Sequence, residues 1–314
     1  MIEALMRELA ALGVEVEPVR WWDENQSGDI LHYVGRPSTL NVRLGHQKGF
    51  KIVMTDLLDQ PASRSRPRQF LQRSFQQMFG RLLPRFTGQF NWEAYREVDA
   101  MVFAVPHEWE AAKYLFNADP QRGHVIPHGL EETTLQHLAQ PQPEENYLVS
   151  VATIDPRKNT LLLAEAAKSA RTPVVFLGKP YSPDDSYFLA FQALVDDEYV
   201  RYPGFVSVAE KHHYLRGARG FVLLSQFESG CISVFEAAAA GLPLFLSDQP
   251  WATKSYPEAR DIHFAKLGAP AEVAPALCRF YEMAHRKPGT TFPLFSWREI
   301  ASRYLRIYEE IVQA

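Results

Sequence analysis

The sequence predicts an α/β protein with two domains, each a doubly wound parallel sheet. Three observations predict this class. Short apolar segments alternate with segments of helical periodicity, the alternation stops at a Pro-, Gln- and Glu-rich linker over 136–146, and it then restarts. The chain has 314 residues and 46% hydrophobic side chains, which is enough for two cores in domains of about 150 residues each.

The first part of the chain predicts a helix followed by strands that are separated by helices. Apolar residues recur at helical spacing over 2–12, and Gly13 ends that helix. Apolar and polar residues alternate over 14–19, which predicts a strand. Further strands are predicted at 29–35, 50–56, 99–105 and 123–129, and further helices at 38–48 and 107–115.

The first predicted element is a helix, although a doubly wound domain usually opens with a strand and a glycine-rich turn. We therefore expect that the first domain lacks its opening strand or that another segment fills its place. Without that strand the edge of 29–35 is exposed. We expect either a partner chain or a substitute strand beside it.

The second part of the chain repeats the alternation. Strands are predicted at 147–152, 173–178, 200–204, 220–225 and 242–247, and helices at 161–170, 185–196, 208–216, 232–240, 271–284 and 297–312. The domains that follow are a first domain over 1–138, a second domain over 139–294 and a closing segment over 295–314.

Composition argues against several protein classes. No apolar run approaches the ~20 residues of a membrane span, and Glu3 and Glu8 interrupt any secretory signal at the amino end. Two cysteines, Cys231 and Cys278, are too few for a disulfide framework. A net charge of −4 gives no reason to expect nucleic acid as a partner. We expect a cytoplasmic protein.

Two glutamates flank a predicted helix start. The strand at 220–225 ends shortly before Glu228, and Glu236 lies inside the helix over 232–240. The first amides of a helix have no intrahelical partner, and together with the helix dipole they favour an anion such as phosphate. A carboxylate on each side could accept hydrogen bonds from sugar hydroxyls. The spacing alone is also typical of solvated glutamates on a helix face.

Arg157 and Lys158 follow the first strand of the second domain and precede a helix. Ligands of doubly wound sheets bind at the carboxyl ends of the strands, so this basic pair lies where an anion is expected, on the same edge as Glu228. Such a turn alone is typical of a solvated loop. Opposite a helix N-terminus it is suited to hold a diphosphate.

Together these segments resemble family 4 of the retaining glycosyltransferases, whose GT-B fold has two Rossmann-like domains facing across a cleft. The resemblance is close over 99–312 and loose over 2–59. The motifs that carry it are Val-Ile-Pro-His-Gly at 125–129, Asp-Pro-Arg-Lys-Asn at 155–159, Phe-Leu-Gly at 176–178, Tyr-Pro-Gly-Phe-Val at 202–206, Glu-x7-Glu at 228–236, Gly-Leu-Pro at 241–243 and Phe-Ser-Trp at 295–297.

The resemblance implies roles for residues at matching positions. Glu228 binds the donor sugar beside the reacting carbon and is the catalytic residue, and Glu236 binds the ribose. Lys158 binds phosphate, and Arg157 replaces a phosphate arginine whose usual position holds Thr153. The other implied substrate-binding residues are Gly178 and Val206 beside the base, Gly230 at a position that is aromatic in many members, and Cys231, Ile232 and Ser233 around the diphosphate. The last helix, from Trp297, is implied to cross back to the first domain.

The implied reaction moves a hexose from a nucleotide diphosphate sugar to a hydroxyl acceptor with retention of configuration. Cleavage of the sugar–phosphate bond builds negative charge on the diphosphate, so donors aimed at it supply the largest catalytic contribution. Glu228 acts by position and charge rather than as a nucleophile. We expect no cofactor and no metal, because the Asp-x-Asp pair of the metal-dependent fold is absent. By resemblance, the acceptor is a surface polysaccharide or a glycolipid.

A basic segment admits two interpretations. Residues 61–96 carry seven arginines and one glutamate, interleaved with large apolar side chains. In one interpretation 64–86 forms an amphipathic helix that contacts anionic lipid at the inner face of a membrane, or a lipid-linked acceptor. In the other, its apolar side packs on its own domain.

Two alternative functions remain open from the sequence. The chain could be a nucleotide-sugar-binding protein that has lost catalysis or needs a partner to complete its site. It could also be an enzyme of the same fold with other chemistry, such as an epimerase or a phosphorylase. The sequence does not identify the donor's sugar or base.

Overall fold

Two separate units make up the chain in the computed structural model. The residues described are 1–20, 23–82, 92–256 and 261–313. Unit 1 comprises Met1–Gly129 and Phe295–Ala314, and unit 2 comprises Leu130–Leu294. The boundary expected after residue 138 falls near the end of a helix, Glu132–Ala139, that packs inside unit 2.

Unit 1 holds a parallel four-stranded sheet. Its strands are β1 (Ile30–Val34), β2 (Lys51–Thr55), β3 (Ala100–Phe103) and β4 (Gly123–Val125), which lie side by side in chain order. The described sheet therefore winds in one direction only, with β1 at an edge.

Helices cover both faces of this sheet. Alternate residues of β2 point to opposite faces, so that Ile52 and Met54 belong to one apolar cluster and Val53 to the other. The helices are α1 (Ile2–Ala11), α2 (Thr39–Gln47), α3 (Asp59–Ser63), α4 (Arg66–Leu82), α5 (Ala94–Glu97), α6 (Pro106–Phe116) and, at the end of the chain, α14 (Trp297–Gln313). α1 and α14 pack together on the Val53 side.

The strand predicted at 14–19 is wrong. Val14 and Val16 point inward and are half-buried while Glu15 and Glu17 are exposed, so the alternation does mark an extended segment. However, no backbone hydrogen bond joins this segment to β1 in the described residues. The two segments line the same cavity and are not paired with each other. An extended segment forms a β-strand only when it hydrogen-bonds to a partner strand.

Helix α4 turns its apolar side outward. Gln69 and Gln76 are buried, and Gln69 donates hydrogen bonds to the carbonyls of Pro61 and Ala62. The exposed positions instead carry large apolar side chains, 50–66% exposed: Phe70, Leu71, Phe75 and Met78. For these four residues, the interpretation that the apolar side packs on its own domain is wrong. The side chains of 80–82 and the whole of 83–91 lie outside the described residues.

Unit 2 holds a parallel six-stranded sheet. Its strands are β5 (Leu148–Val151), β6 (Val174–Leu177), β7 (Val200–Gly204), β8 (Gly220–Leu223), β9 (Leu244–Ser247) and β10 (Ile262–Ala265). They lie in the order β10-β9-β8-β5-β6-β7, so the sheet winds outward in both directions from β5. Unit 2 is therefore doubly wound as predicted, and the two-unit parallel α/β architecture is confirmed.

The helices of unit 2 include two that the sequence patterns did not predict. These are α7 (Glu132–Ala139), which overlaps the expected linker, and α12 (Pro250–Thr253). The others are α8 (Thr160–Ala170), α9 (Ser186–Gln192), α10 (Val208–Gly217), α11 (Ile232–Ala239) and α13 (Pro270–Met283). Among the helices of the described part of the chain, none is long and apolar enough to span a bilayer.

Candidate functional site

The candidate site lies in unit 2, at the carboxyl ends of β5 and β8. After β5 the chain makes a single 3₁₀ turn, Pro156–Lys158, whose N-cap Asp155 accepts a hydrogen bond from the Lys158 N–H at 2.9 Å. Asn159 follows in the left-handed region, with φ of +52°, and starts α8. This turn holds Arg157 and Lys158 at the edge of the sheet.

Hydrogen bonds fasten this turn to the loop after β8. The Asn159 side chain donates to the Leu224 carbonyl at 2.8 Å, and the Gln226 N–H donates to the Arg157 carbonyl at 2.8 Å. The loop then reverses at Gly230, where φ is +58°, a conformation that glycine adopts without strain. The two loops therefore form one edge, as the sequence predicted.

Glu228 is the centre of this edge. Its side chain is buried, and its two carboxylate oxygens accept hydrogen bonds from Lys158 Nζ at 2.5 Å and Arg157 Nη1 at 3.1 Å. Arg157 Nη1 also donates to the Phe227 carbonyl. Two cations face this carboxylate, and a second carboxylate, Asp155, lies in the same turn.

The electrostatics keep Arg157 charged. Burial lowers the pKa of its guanidinium, but the carboxylates of Glu228 and Asp155 oppose burial, and the net pKa is raised from its usual value. Thr153, at the position where the resembled family has a phosphate arginine, donates a hydrogen bond to Asp155 instead. It thereby supports the cap that orients Lys158.

Glu236 has a cationic partner that sequence reasoning missed. Glu236 is buried on α11 and accepts a hydrogen bond from Lys211 Nζ on α10 at 2.6 Å. No spacing signal connects these residues, because Lys211 lies within a charged helix 25 positions earlier. Only the packing of unit 2 brings them together. The structure thus places both predicted glutamates in ion pairs.

The start of α11 lies between the two glutamates in the chain. Cys231 is its N-cap residue, and no side-chain hydrogen bond caps the helix. Burial raises the pKa of the Cys231 thiol, so this residue fills space rather than acting as a thiolate. The amides of Ile232 and Ser233 are the first of the helix, where an anion is favoured.

Gly178 and Val206 follow β6 and β7 on the same edge of the sheet. A Cβ atom at Gly178 would lie 1.9 Å from the Ala152 carbonyl oxygen, so no side chain fits there. Tyr202 donates a hydrogen bond to the Gly178 carbonyl at 2.9 Å. Val206 is half-buried against the core of unit 2. Apart from Glu236, which lies inside α11, the predicted binding positions therefore follow strand ends at one edge of one sheet.

Metal ligands are not grouped in the described residues, where no three His, Cys, Asp or Glu side chains come together in a suitable cluster. That the chain needs no metal stays a prediction.

Comparisons with known proteins concern the same unit. Residues 134–256 match the model of the family described as glycosyl transferases group 1. No curated protein sequence matches the chain. The family match thus contains the turn after β5, the loop after β8, and both glutamates.

Solved structures show the fold of the whole chain. It is similar to AviGT4, a glycosyltransferase involved in avilamycin A biosynthesis, with 18% identity, 68% of this chain and 64% of that chain covered, and a TM-score of 0.51. It is also similar to a glycosyltransferase from Rickettsia africae, with 12% identity and a TM-score of 0.65, and the match covers 98% of this chain and 82% of that chain. A third similar structure is Anabaena HepE in complex with UDP, with 14% identity and a TM-score of 0.57, and the match covers 90% of this chain and 77% of that chain.

The chain spans less than two thirds of AviGT4, and at these identities the similarity concerns the fold. Two Rossmann-like units with parallel sheets, structural neighbours that are glycosyltransferases and the family match in unit 2 point the same way. The predicted GT-B fold is confirmed, and residues 134–256 carry the sequence pattern of the group 1 glycosyl transferases.

Proposed function

We propose that the chain is a retaining glycosyltransferase that moves a sugar from a nucleotide diphosphate sugar to a hydroxyl acceptor. One observation carries the proposal: buried Glu228 is held by Arg157 and Lys158 beside the uncapped start of α11. The group 1 family match over the same residues supports it. So does the similarity to Anabaena HepE, a structure solved with UDP and with UDP and glucose.

The proposed chemistry uses the two cationic side chains of this cluster and the start of α11. When the sugar–phosphate bond breaks, Arg157, Lys158 and the first amides of α11 stabilise the negative charge that develops on the diphosphate. Glu228 accepts hydrogen bonds from the donor sugar and fixes it against the departing phosphate. Glu236, oriented by Lys211, accepts hydrogen bonds from the ribose. Retention of configuration and independence of metal follow from the resemblance to family 4.

Part of the proposal concerns the acceptor, a glycan or a lipid-linked sugar. The outward apolar residues of α4 support peripheral contact with an anionic membrane. Arg66 and Arg73 pack over the Tyr114 ring, with their guanidinium carbons 5.7 and 4.7 Å from its centre, and Arg68 is exposed. On a helical wheel these arginines border the stripe of Leu71 and Met78 on both sides. Apolar residues flanked by arginines are typical of interfacial helices.

Thermal unfolding with UDP, GDP, ADP and dTDP in turn tests the donor site. A nucleotide at a hundred times its dissociation constant adds about 2.7 kcal/mol of stability. The nucleotide that raises Tm identifies the base of the donor. Donor turnover is then measured with sugars on that base. Binding with turnover supports the enzyme. Binding without turnover supports the alternative of a nucleotide-sugar-binding protein, and no Tm shift with any nucleotide contradicts both.

A further inference from the structure

The ion pair between Lys211 and Glu236 leaves much of its hydrogen-bonding capacity unused. Lys211 Nζ donates to Glu236 Oε1 at 2.6 Å, and neither side chain forms another hydrogen bond or ion pair within the described part of the chain. An ammonium group has three N–H donors, and a carboxylate has about four acceptor positions. The pair can therefore bind a ligand while it keeps its own contact.

A ligand can reach this ion pair from the surface of unit 2. The side chain of Lys211 is 23% exposed. Glu236 Oε2 has no hydrogen-bond partner among the described residues, and it is not one of the fully enclosed polar atoms that lack a partner, so it is accessible. An accessible acceptor and a partly exposed cation therefore lie side by side.

The start of α10 holds Lys211 beside the candidate donor site. A capping box forms there, in which the Glu210 N–H donates to Ser207 Oγ at 3.3 Å and the Ser207 N–H donates to the Glu210 carboxylate at 2.9 Å. This box fixes the helix start directly after Val206, which is implied to border the base. Lys211 follows about one helical turn later, so it lies between the base position and Glu236 on α11.

The chemistry of the ion pair suits two neighbouring hydroxyl groups. A hydroxyl both donates and accepts hydrogen bonds, so one hydroxyl can donate to Glu236 Oε2 while the next accepts from Lys211 Nζ. A phosphate group has only acceptors at this charge state, and the Glu236 carboxylate would repel it. An apolar ligand would remove water from both charges without replacing its hydrogen bonds. A vicinal diol is the ligand that uses both members of the pair.

We propose that Lys211 is a specificity-determining residue of the donor site, and that with Glu236 it binds both hydroxyls of a ribose. Glu236 accepts a hydrogen bond from one hydroxyl, and Lys211 donates to the oxygen of the other. The donor is then a ribonucleoside diphosphate sugar, and dTDP sugars, which lack the 2′-hydroxyl, are poor donors. This role rests on the proposed function, because it concerns the same nucleotide.

Calorimetric titration of the unaltered chain tests whether both hydroxyls are bound. UDP, GDP or ADP, whichever raises Tm, is compared with its own 2′-deoxy and 3′-deoxy forms, so that the base and the diphosphate stay the same. Each deoxy form loses one hydrogen bond to a charged group. We therefore expect each to bind about 10–100-fold more weakly than the ribonucleotide. This comparison needs no variant.

The variant Lys211→Met tests which side chain binds which hydroxyl. Methionine has a similar length but no donor, so the penalty for removing one of the two hydroxyls is expected to disappear while the penalty for the other stays. Lys211→Arg keeps a charged donor and is expected to keep both penalties. The matched control is Lys168→Met, because Lys168 on α8 is also ion-paired, to Asp196 at 2.9 Å, and is expected to leave all three affinities unchanged. The Tm of each variant is measured first.

Three results overturn the proposal while leaving the proposed function intact. The first is equal affinity of the unaltered chain for the ribonucleotide and its deoxy forms. The second is a loss in Lys211→Met by the same factor for all three nucleotides, which shows that Lys211 only holds Glu236 in place. The third is the same pattern of losses in Lys168→Met as in Lys211→Met, which shows a general effect on unit 2. Absence of binding by every nucleotide instead contradicts the proposed function, and this role with it.

Discussion

At the scale of single residues, Glu228 and Glu236 differ in the cations that hold them. Glu228 forms ion pairs with Lys158 and Arg157, which are also the groups proposed to bind the diphosphate. In Glu228→Gln these cations lose a partner but stay available to phosphate. We expect the transfer rate to fall by about 10²–10³-fold while nucleotide affinity changes little. Steady-state kinetics and calorimetric titration with the nucleotide measure the two effects.

Glu236→Gln is the matched comparison, because Glu236 is also buried and ion-paired. Here we expect nucleotide affinity to fall by about 10–100-fold, since a hydrogen bond to a charged group contributes about 1.5–3 kcal/mol. The Tm of each variant is measured first, because breaking a buried ion pair costs about 3–5 kcal/mol. Equal loss of affinity in both variants contradicts the division of roles.

His32 gives a residue-scale prediction about pH. Burial lowers the pKa of His32 in the folded state from its ordinary value of 6.5 to about 4, because burial disfavours the charged form of the ring. The folded state therefore binds fewer protons than the unfolded state between these values. The contribution of neutral His32 to the free energy of unfolding is complete above pH 6.5 and is lost as the pH falls towards 4. The loss is about 3 kcal/mol at most.

The variant His32→Gln isolates this contribution, because the pKa of His212 is also lowered to about 4, by burial and by Lys211. Urea unfolding at pH 7 and at pH 4.5 measures the loss of stability in both proteins. We expect a smaller loss in His32→Gln than in the unaltered chain. The same loss in both proteins shows that another group titrates.

The residues of the candidate donor site were only partly predictable from the sequence. Glu228, Arg157 and Lys158 were found because strand ends carry chemistry in parallel sheets. Lys211 was not, because nothing in the sequence distinguishes it from a solvated helix lysine. The packing of α10 against α11 brings Lys211 to Glu236, and the sequence pattern does not show which helix faces pack together.

At the scale of elements, α4 carries the prediction about membranes. Leu71 on α4 and Leu40 on α2 are each 66% exposed, so they form a matched pair. Burying a leucine side chain contributes about 1.5–3 kcal/mol, so Leu71→Ser is expected to weaken binding to anionic vesicles by about 10–100-fold. Leu40→Ser leaves it unchanged. Vesicle sedimentation with phosphatidylglycerol measures both.

The arginines of α4 provide a second measurement on the same element. Each basic residue near an anionic surface contributes about 1 kcal/mol, so replacing Arg66, Arg68 and Arg73 with Gln is expected to weaken binding by about 100-fold. The effect disappears with neutral phosphatidylcholine vesicles. Unchanged binding to anionic vesicles after replacement of these arginines contradicts the proposed membrane contact.

Elements were predictable where burial and periodicity agree. The continuous apolar runs of β2, β3 and β5 mark strands covered on both faces, and the structure has them at the predicted positions. β10 was missed because Ile262–Ala265 is partly exposed and contains His263. The direction of α4 was not predictable, because periodicity defines two faces of a helix without saying which one is buried.

At the scale of the whole molecule, the two units differ in their sheets and in the sites that they contain. Unit 2 has a complete doubly wound sheet and every residue of the candidate donor site. Unit 1 has a one-directional described sheet, a large cavity and an outward apolar helix. The sequence predicted the doubly wound sheet of unit 2 but neither the cavity of unit 1 nor the outward direction of the apolar side of α4.

This division predicts where a nucleotide protects the chain. Ligand binding stabilises the residues it contacts and those that unfold with them. With the nucleotide that raises Tm at a hundred times its dissociation constant, hydrogen exchange is expected to slow by up to about 100-fold over 153–159 and 226–236. Exchange in β1 and β2 stays within about twofold, because these strands belong to unit 1. Mass spectrometry of peptides from both units measures this, and equal slowing in β1 and β2 shows instead that the two units unfold as one.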